Sequence, residues 1–378
     1  MAVPSWPPLQ GTQRAIAVEA LIHGPVSRAD IARRLDLSPA TVTRLTRPLL
    51  DVGLLIESGP PTANGMGRPS VPLTIDAASR HFVGVKLTSG AAHGVVTDLR
   101  ATVIDKGTVP LSDRSPGAVV AATADLVERM RNRVPNVMAL GVSAGGVTED
   151  RAILKSAGFL NWDDDVPLAS MLSLATGLPA AIENDVAAWL EVERWFGEGR
   201  GRESFALLTM GAGVGYALAA GNTPLSPDVG VGLAGHVPLD PFGWLCPSGH
   251  RGCADAMLTS DAIAASASVA LRRRLTYPEV LDLADAGNPA ASATVEASAR
   301  ACGRLLGMIA NLTLVPLIIV SGDGVELAVR HRSTVMEEFA RNRHPMAHQV
   351  EVLIKQAPFT EWARGAATVA IQTYVLGR

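Results

Sequence analysis

From Gln13 to Gly53 the apolar residues recur at helical spacing, broken twice by turn residues. Gln13 to Ile22 predicts a helix with Ile16, Val18 and Leu21 on one face, and HGPVSR ends it. Ser27 is placed to cap a second helix, Arg28 to Leu35, with Ile31 and Leu35 turned inward. Ser38 is placed to cap a third, SPATVTRLTRPLLDVG. Pro39 falls at its first position, where a missing N–H costs nothing. Val42, Leu45 and Leu49 share the inner face of this helix, while Ala40, Thr41, Thr43, Arg44 and Arg47 lie on the other. Gly53 stops it; LLIES then predicts a strand, PTANGMGRPS a loop and VPLTID a returning strand.

Beyond residue 76 the pattern changes to short apolar runs alternating with helical segments. FVGVKL, HGVVTD and ATVIDKG predict successive strands, followed by a helix from Ala118 to Val134 and a strand, VMALGVSA. Leu168 to Thr176 predicts a helix, PAAIEND a strand with a polar end, and Val186 to Trp195 a helix. SFALLTM and VGYALAAG form a strand pair about a glycine turn. A long helix over Ala290 to Leu312, the strand of PLIIVSGDG, and a final helix, strand (EVLIK) and helix complete the chain. Two successive blocks of strands followed by helices predict two similar α/β lobes with a ligand cleft between them.

Three short helices and a β-hairpin make a winged helix-turn-helix. In that module the second helix of the pair enters the major groove by its N-terminal end. Thr and Arg there would supply groove and phosphate contacts. Gly67-Arg68-Pro69 is an extended segment with one Arg, suited to a narrow minor groove. The spacing alone also fits a small helical bundle or a dimerisation unit. Charge favours DNA: the overall net is −3, but residues 1–70 hold seven Arg against five acids, a net of +2 that leaves −5 for the remainder.

The chain is long enough for two or three domains, and 48% hydrophobic residues supply large cores. Three cysteines make no disulfide framework, which fits a reducing compartment. MAVPSWPPLQGTQR lacks a charged start before an apolar run, so no signal peptide is expected. LTLVPLIIV is too short for a membrane span and is broken by Pro316. The expectation is a soluble, cytoplasmic protein with no membrane association. Two of the cysteines fall in GHVPLDPFGWLCPSGHRGCAD, residues 235–255, with His236 close by. Soft ligands this close suggest zinc, but a closed zinc site needs four.

SPATVTRL and GRPS in the head, with IENDVAAWLE, LTMGAGVGYA, GHVPLDPFGWLCPSGHRGCAD and IIVSGDG in the body, resemble the ROK family (repressors, open reading frames, kinases), in its regulator branch. The resemblance runs from about Gln13 to the C-terminus. It implies a winged helix-turn-helix over residues 1–75 and, over 76–378, an actin-like, ribonuclease-H-type body of two lobes for effector binding and oligomerisation. It further implies a transcriptional regulator, expected to be a repressor. Its partners would be a double-stranded DNA operator, a sugar-type effector and further copies of itself, as homodimer or homotetramer. The expected DNA contacts are Ser38, Thr41, Thr43, Arg44, Arg47 and Arg68. A sugar kinase carrying a DNA-binding head and a regulator without a small ligand are the alternatives.

The family's kinases hold phosphate and magnesium on a DxGGT-type turn. Lys86-Leu87-Thr88-Ser89-Gly90 stands in its place, so the acid has become Lys and the glycines are lost. Gly211 to Gly215 persists as a second glycine-rich turn, and its glycines equally suit the turn of a hairpin. Asp185 matches the kinases' catalytic base. With the phosphate turn lost it is expected to contact ligand or to cap the following helix, and no catalytic residue is expected. Asn184, Asp185, His236 and Asp255 match ligand-binding positions, with Asp255 replacing a usual Glu. Leu233 replaces a family Glu, and Phe159 stands where an Asn is usual, with Asn161 nearby. The family's structural zinc is held by His, then Cys ten, twelve and seventeen residues on; those positions here are His236, Cys246, Ser248 and Cys253. Ser is a poor ligand, and His250 is the candidate substitute.

Overall fold

A computed structural model describes residues 9, 11–59, 71–221, 223–225 and 233–376. The chain divides into two compact units, Met1–Ala144 with Thr148–Arg200 and Trp362–Arg378, and Gly145–Val147 with Gly201–Glu361. The head thus packs with the first half of the body.

The head comprises α1 (Gly11–His23), α2 (Arg28–Arg34), α3 (Pro39–Asp51) and the two-stranded sheet of β1 (Leu55–Glu57) and β2 (Leu73–Ile75). Local chemistry sets its boundaries. The Ser27 hydroxyl accepts from the Asp30 N–H and the Ser38 hydroxyl from the Thr41 N–H, which satisfies donors that helix starts leave unpaired. Gly53, at φ +69°, turns the chain out of α3. Ile16, Leu21, Ile31, Val42, Leu49, Leu55 and Leu73 close the core, and Thr46 joins them. Val18, Leu35 and Leu45 are half-buried rather than central.

The first lobe is built on β3 (His81–Leu87), β4 (Ala91–Thr97) and β5 (Val103–Pro110), then α4 (Pro116–Arg131), β6 (Val137–Ala144), the hairpin of β7 (Val147–Glu149) and β8 (Ile153–Ser156), α5 (Leu168–Thr176), β9 (Ala180–Asn184) and α6 (Asp185–Phe196). The sheet order is β5-β4-β3-β6-β9. β3, β4 and β5 form an antiparallel meander, and β6 and β9 run parallel to β3. The central strands read as near-continuous apolar runs because helices cover both faces. β5 starts at Val103, two residues later than the sequence pattern predicts, because Ala101 sits in a turn at φ +56°.

The second unit has the same topology. It contains β10 (Ser204–Met210), β11 (Val214–Ala220), β12 (Thr223–Leu225), α7 (Ala254–Leu258), α8 (Ser260–Leu271), α9 (Tyr277–Asp285), α10 (Pro289–Thr313), β13 (Leu317–Ser321), α11 (Glu326–Arg330), α12 (Arg332–Arg341) and β14 (Glu351–Ile354). Its sheet order, β12-β11-β10-β13-β14, again places three antiparallel strands beside two parallel ones. The duplication predicted from the strand and helix blocks is therefore real.

The final helix, α13 (Phe359–Leu376), returns to the first unit and lies on its sheet. It approaches so closely that a Cβ at Gly84 would sit 2.0 Å from the Ala363 carbonyl oxygen. Among the described residues no helix is long and apolar enough to cross a membrane.

Candidate functional site

The outer face of α3 carries the predicted DNA contacts. Thr43, Arg44 and Arg47 are exposed, Ser38 is exposed at the cap, and Thr41 is half-buried. Two hydroxyls are engaged locally: Ser38 Oγ lies 2.9 Å from Thr41 Oγ1, and Thr43 Oγ1 donates to the Pro39 carbonyl at 2.9 Å. The arginines divide sharply by helix. On α2, Arg28 pairs with Glu57 (2.8 Å), Arg33 with Asp30 (2.5 Å) and Arg34 with Glu19 (2.8 Å). On α3, Arg44 and Arg47 form no ion pair among the described residues. Arg68 lies outside the described residues.

In the first lobe, Lys86 and Asp185 meet. The Lys86 ammonium donates to Asp185 Oδ2, and Lys86 is only 7% exposed. The ammonium also stands 5.2 Å from the centre of the Trp362 ring, a cation–π contact from α13. A polar row crosses the sheet here, because Lys86 is in register with His93 on β4 and Ser143 on β6, and Ser143 with Glu183 on β9. Burial, reinforced by the Lys86 charge, holds His93 below its ordinary pKa. The Glu183 carboxylate accepts from Thr148 Oγ1 at 3.1 Å and Arg151 Nε at 3.2 Å. Asn184 is the residue that caps α6: its Oδ1 accepts from the Val186 and Ala187 N–H groups. Asp185 is the first helical residue rather than the cap.

Both glycine-bearing stretches are turns of hairpins. Thr88 to Gly90 joins β3 to β4, with the Thr88 hydroxyl donating to the Ala91 carbonyl at 2.9 Å and accepting from the Ala91 N–H at 3.1 Å. Gly211 to Gly213 joins β10 to β11 with Met210 opposite Val214.

The loop of residues 236–253 gathers four ligand-type side chains. The donor atoms of His236, Cys246, His250 and Cys253 all lie within 4.8 Å of one another. His236 Nδ1 is 3.1 Å from His250 Nδ1 and 4.0 Å from each sulfur, and His250 Nδ1 is 3.7 Å from Cys246 Sγ. A tetrahedral zinc with ordinary Zn–N and Zn–S bonds sets its ligands about 3.3–3.8 Å apart. The separations of 3.1–4.0 Å bracket that spacing, and the widest in the cluster, within 4.8 Å, would draw in on a metal. The thiols are buried, His236 is half-buried and His250 is exposed, so the His250 ring closes the solvent side. Burial pushes the Cys246 thiol up, but the backbone N–H groups of His250 and Ser248 outweigh it and leave the group below its usual range. Burial raises Cys253. Single bridges pair Pro238 with Cys253 and Leu245 with Arg251. Gly252, at φ +56°, permits the crossing, since a Cβ there would lie 1.6 Å from the Asp240 carbonyl oxygen. Arg304 on α10 ties the loop to the lobe, donating to the Leu239 carbonyl (3.1 Å), Asp240 (3.3 Å) and Glu338 on α12 (2.9 Å). Asp255, half-buried, packs its carboxylate against Gly235, and burial raises its pKa against the pull of His236.

The ROK family model matches residues 82–373, most of the chain. The chain belongs to the ROK family. Among its relatives, the DNA-binding transcriptional repressor Mlc of Escherichia coli (strain K12) is 25% identical over 378 residues, covering 93% of this chain and 90% of Mlc. The xylose repressor of Bacillus subtilis (strain 168) is 24% identical over 277 residues, covering 72% and 71%. The fold matches that of a ROK family transcriptional regulator homologous to E. coli Mlc, with TM-score 0.79, 20% identity and coverage of 97% and 98%. It also matches a ROK family glucokinase from Streptomyces griseus solved with glucose and AMPPNP, with TM-score 0.66, 23% identity and coverage of 77% and 99%. The actin-like body expected of a ROK protein is thus present.

Against the ROK pattern, four departures acquire structure. Ser248 is exposed and takes no part in the cluster, while His250 completes it. Lys86, in place of the kinase acid, pairs with the residue matching the kinase base. Leu233 opens the short turn that ends at His236 and is exposed. Phe159 packs against the first lobe's core, and Asn161, beside it, adopts φ +60°. Sequence reasoning missed the Lys86–Asp185 pair and its Trp362 neighbour. A lone charge in the apolar run FVGVKL was the available signal.

Proposed function

We propose that this ROK protein is a sequence-specific DNA-binding transcriptional regulator, a repressor, and not a sugar kinase. Residues 1–75 form the DNA-binding module and 76–378 the effector-binding and oligomerisation body. One observation carries the reading: α3 presents Arg44 and Arg47 exposed and without ion-pair partners among the described residues, while the arginines of α2 are all paired. Unpaired guanidinium groups on an exposed, capped helix are what groove and phosphate contact requires. Ser38, Thr41 and Thr43 complete that face, with Arg68 for the minor groove. The names of Mlc and the xylose repressor support the same reading.

The kinase alternative loses its base. An Asp185 carboxylate held by an ammonium is not free to take a proton from a sugar hydroxyl, and the hairpin at Thr88 is closed by its own side chain. The effector is a sugar-type molecule, with Asn184, Asp185, His236 and Asp255 as the contacts that the family pattern implies. Since Asn184 caps α6 and Asp185 is paired, such a ligand must compete with contacts already made. It would act by shifting the population between an operator-binding and a non-binding state.

His236, Cys246, His250 and Cys253 hold a structural zinc. Four protein ligands leave no open position for catalysis; the ion would fix His236 and Asp255 in place. The protein works in the cytoplasm as a homodimer or a dimer of dimers, since paired heads match two half-sites. The test is selection of binding sites from a random duplex pool. Enrichment of a two-part motif by the wild type, lost on Arg44→Ala, supports the reading; no enrichment, or equal enrichment by the variant, overturns it.

A further inference from the structure

We infer that Arg100 is the joint that fixes the bearing of the DNA-binding head on the first lobe, and with it the half-site spacing that the protein accepts. The spacing part rests on the DNA-binding reading above; the joint itself does not.

Arg100 belongs to the turn between β4 and β5, which is held on several sides. The Asp98 carboxylate accepts from the N–H groups of Arg100 (2.8 Å) and Thr102 (2.9 Å). The Leu99 N–H donates to the Ala77 carbonyl at 3.1 Å. Arg364 on α13 donates to the Ala101 carbonyl at 2.7 Å. From this fixed base the Arg100 guanidinium reaches into the head. Its Nη2 donates to the Ala20 carbonyl on α1 at 3.1 Å and to the Thr74 hydroxyl on β2 at 2.7 Å.

Both contacts follow from simple chemistry. Ala20 lies in the last turn of α1, where the helix end carries partial negative charge; its carbonyl takes the Gly24 N–H at 3.0 Å and keeps a second lone pair for Arg100. Arg200 adds a second cation at the same end, donating to the Ile22 carbonyl at 3.4 Å. Thr74 is the central residue of the returning strand, so one guanidinium nitrogen holds the first helix and the wing together. Gly24 makes the room: a Cβ there would lie 2.4 Å from the Ala20 carbonyl oxygen, 2.7 Å from Arg100 Nη2 and 3.0 Å from Thr74 Oγ1. Half-buried Arg100 stays charged, because a guanidinium is not deprotonated in proteins.

The consequence concerns α3. It packs on α1 and α2, so whatever fixes α1 and the wing fixes its direction. A dimer with rigidly borne heads reads half-sites at one separation, set by the helical repeat of DNA. A dimer with loosened heads tolerates several. Arg100 is therefore a positioning residue that touches no DNA.

The experiment uses the full-length protein and Arg100→Ala, with Thr74→Val as a near-isosteric change on the head side of the same contact. Amide hydrogen exchange comes first. Losing a charge-assisted hydrogen bond predicts roughly tenfold or greater acceleration in Arg100→Ala around residues 20–26 and 73–75. Exchange in β3, β6 and β9 should be unchanged, and Thr74→Val should show a smaller shift of the same kind. Unchanged exchange at the joint, or equal acceleration throughout the lobe, overturns the inference. Site selection comes second. The wild type should enrich one half-site separation and Arg100→Ala the same half-site at several. A single unchanged separation overturns the spacing claim. A wild type that enriches no sequence removes the DNA-binding reading and the spacing claim with it, while the exchange result still decides the joint.

Discussion

The Lys86 ammonium rests on the Asp185 carboxylate, with the two side chains 8% and 15% exposed. Removing one partner of such a pair leaves a charge with little water and no counter-ion, which costs about 3–5 kcal/mol. Lys86→Met and Asp185→Leu should each destabilise the first lobe on that scale. The double variant should recover most of the loss, because neither charge is left alone. Denaturant titration of the four proteins measures this, and additive losses would show that the groups do not act as a pair.

The same pair predicts the enzymology. Coupled ADP-release assays over a panel of hexoses and pentoses should show no turnover by the wild type above an Asp185→Asn control. Turnover that the control abolishes would restore the kinase reading.

Ser38 separates helix integrity from DNA contact. Its hydroxyl caps α3, so Ser38→Ala should cost about 0.5–2 kcal/mol of head stability. Ser38→Asp keeps a capping oxygen and should preserve stability, but it sets a negative charge where DNA phosphates would approach. Melting temperature and operator affinity should therefore part company: Ala lowers both, and Asp lowers affinity alone. Equal affinities for Ser38→Asp and wild type would place DNA elsewhere.

What was legible in the sequence was local. Ser27, Ser38 and Gly53 mark helix ends by chemistry that acts within a few residues, and the head's elements fall within a residue or two of expectation. β3, β6 and β13 are legible because buried strands are largely apolar. The helices α7 to α9 were not predicted, since ADAML and SDAIAASASVAL bury mainly alanine and give a faint periodicity. Thr276 and Glu279, a capping box that starts α9, were the overlooked signal. Lys86 and Asp185 stand 99 positions apart, and only the sheet joins them. The reach of His250 depended on how the chain turns at Gly249, which residue spacing does not specify.

The cluster at the end of the loop gives the sharpest test of that last point. If His250 has taken over from the position of Ser248, the metal should follow the imidazole. Wild-type protein should carry about one zinc per chain, the stoichiometry of a closed four-ligand site. His250→Ala and Cys253→Ala should each lose it, whereas Ser248→Ala should keep it, because that side chain is exposed and outside the cluster. Adding Ser248→Cys to His250→Ala should restore binding by returning the family's own arrangement. Elemental analysis of purified protein and thermal stability with and without a chelator measure both occupancy and its effect on the fold. Zinc retained by His250→Ala, or absent from the wild type, would mean that the four side chains meet without serving as ligands.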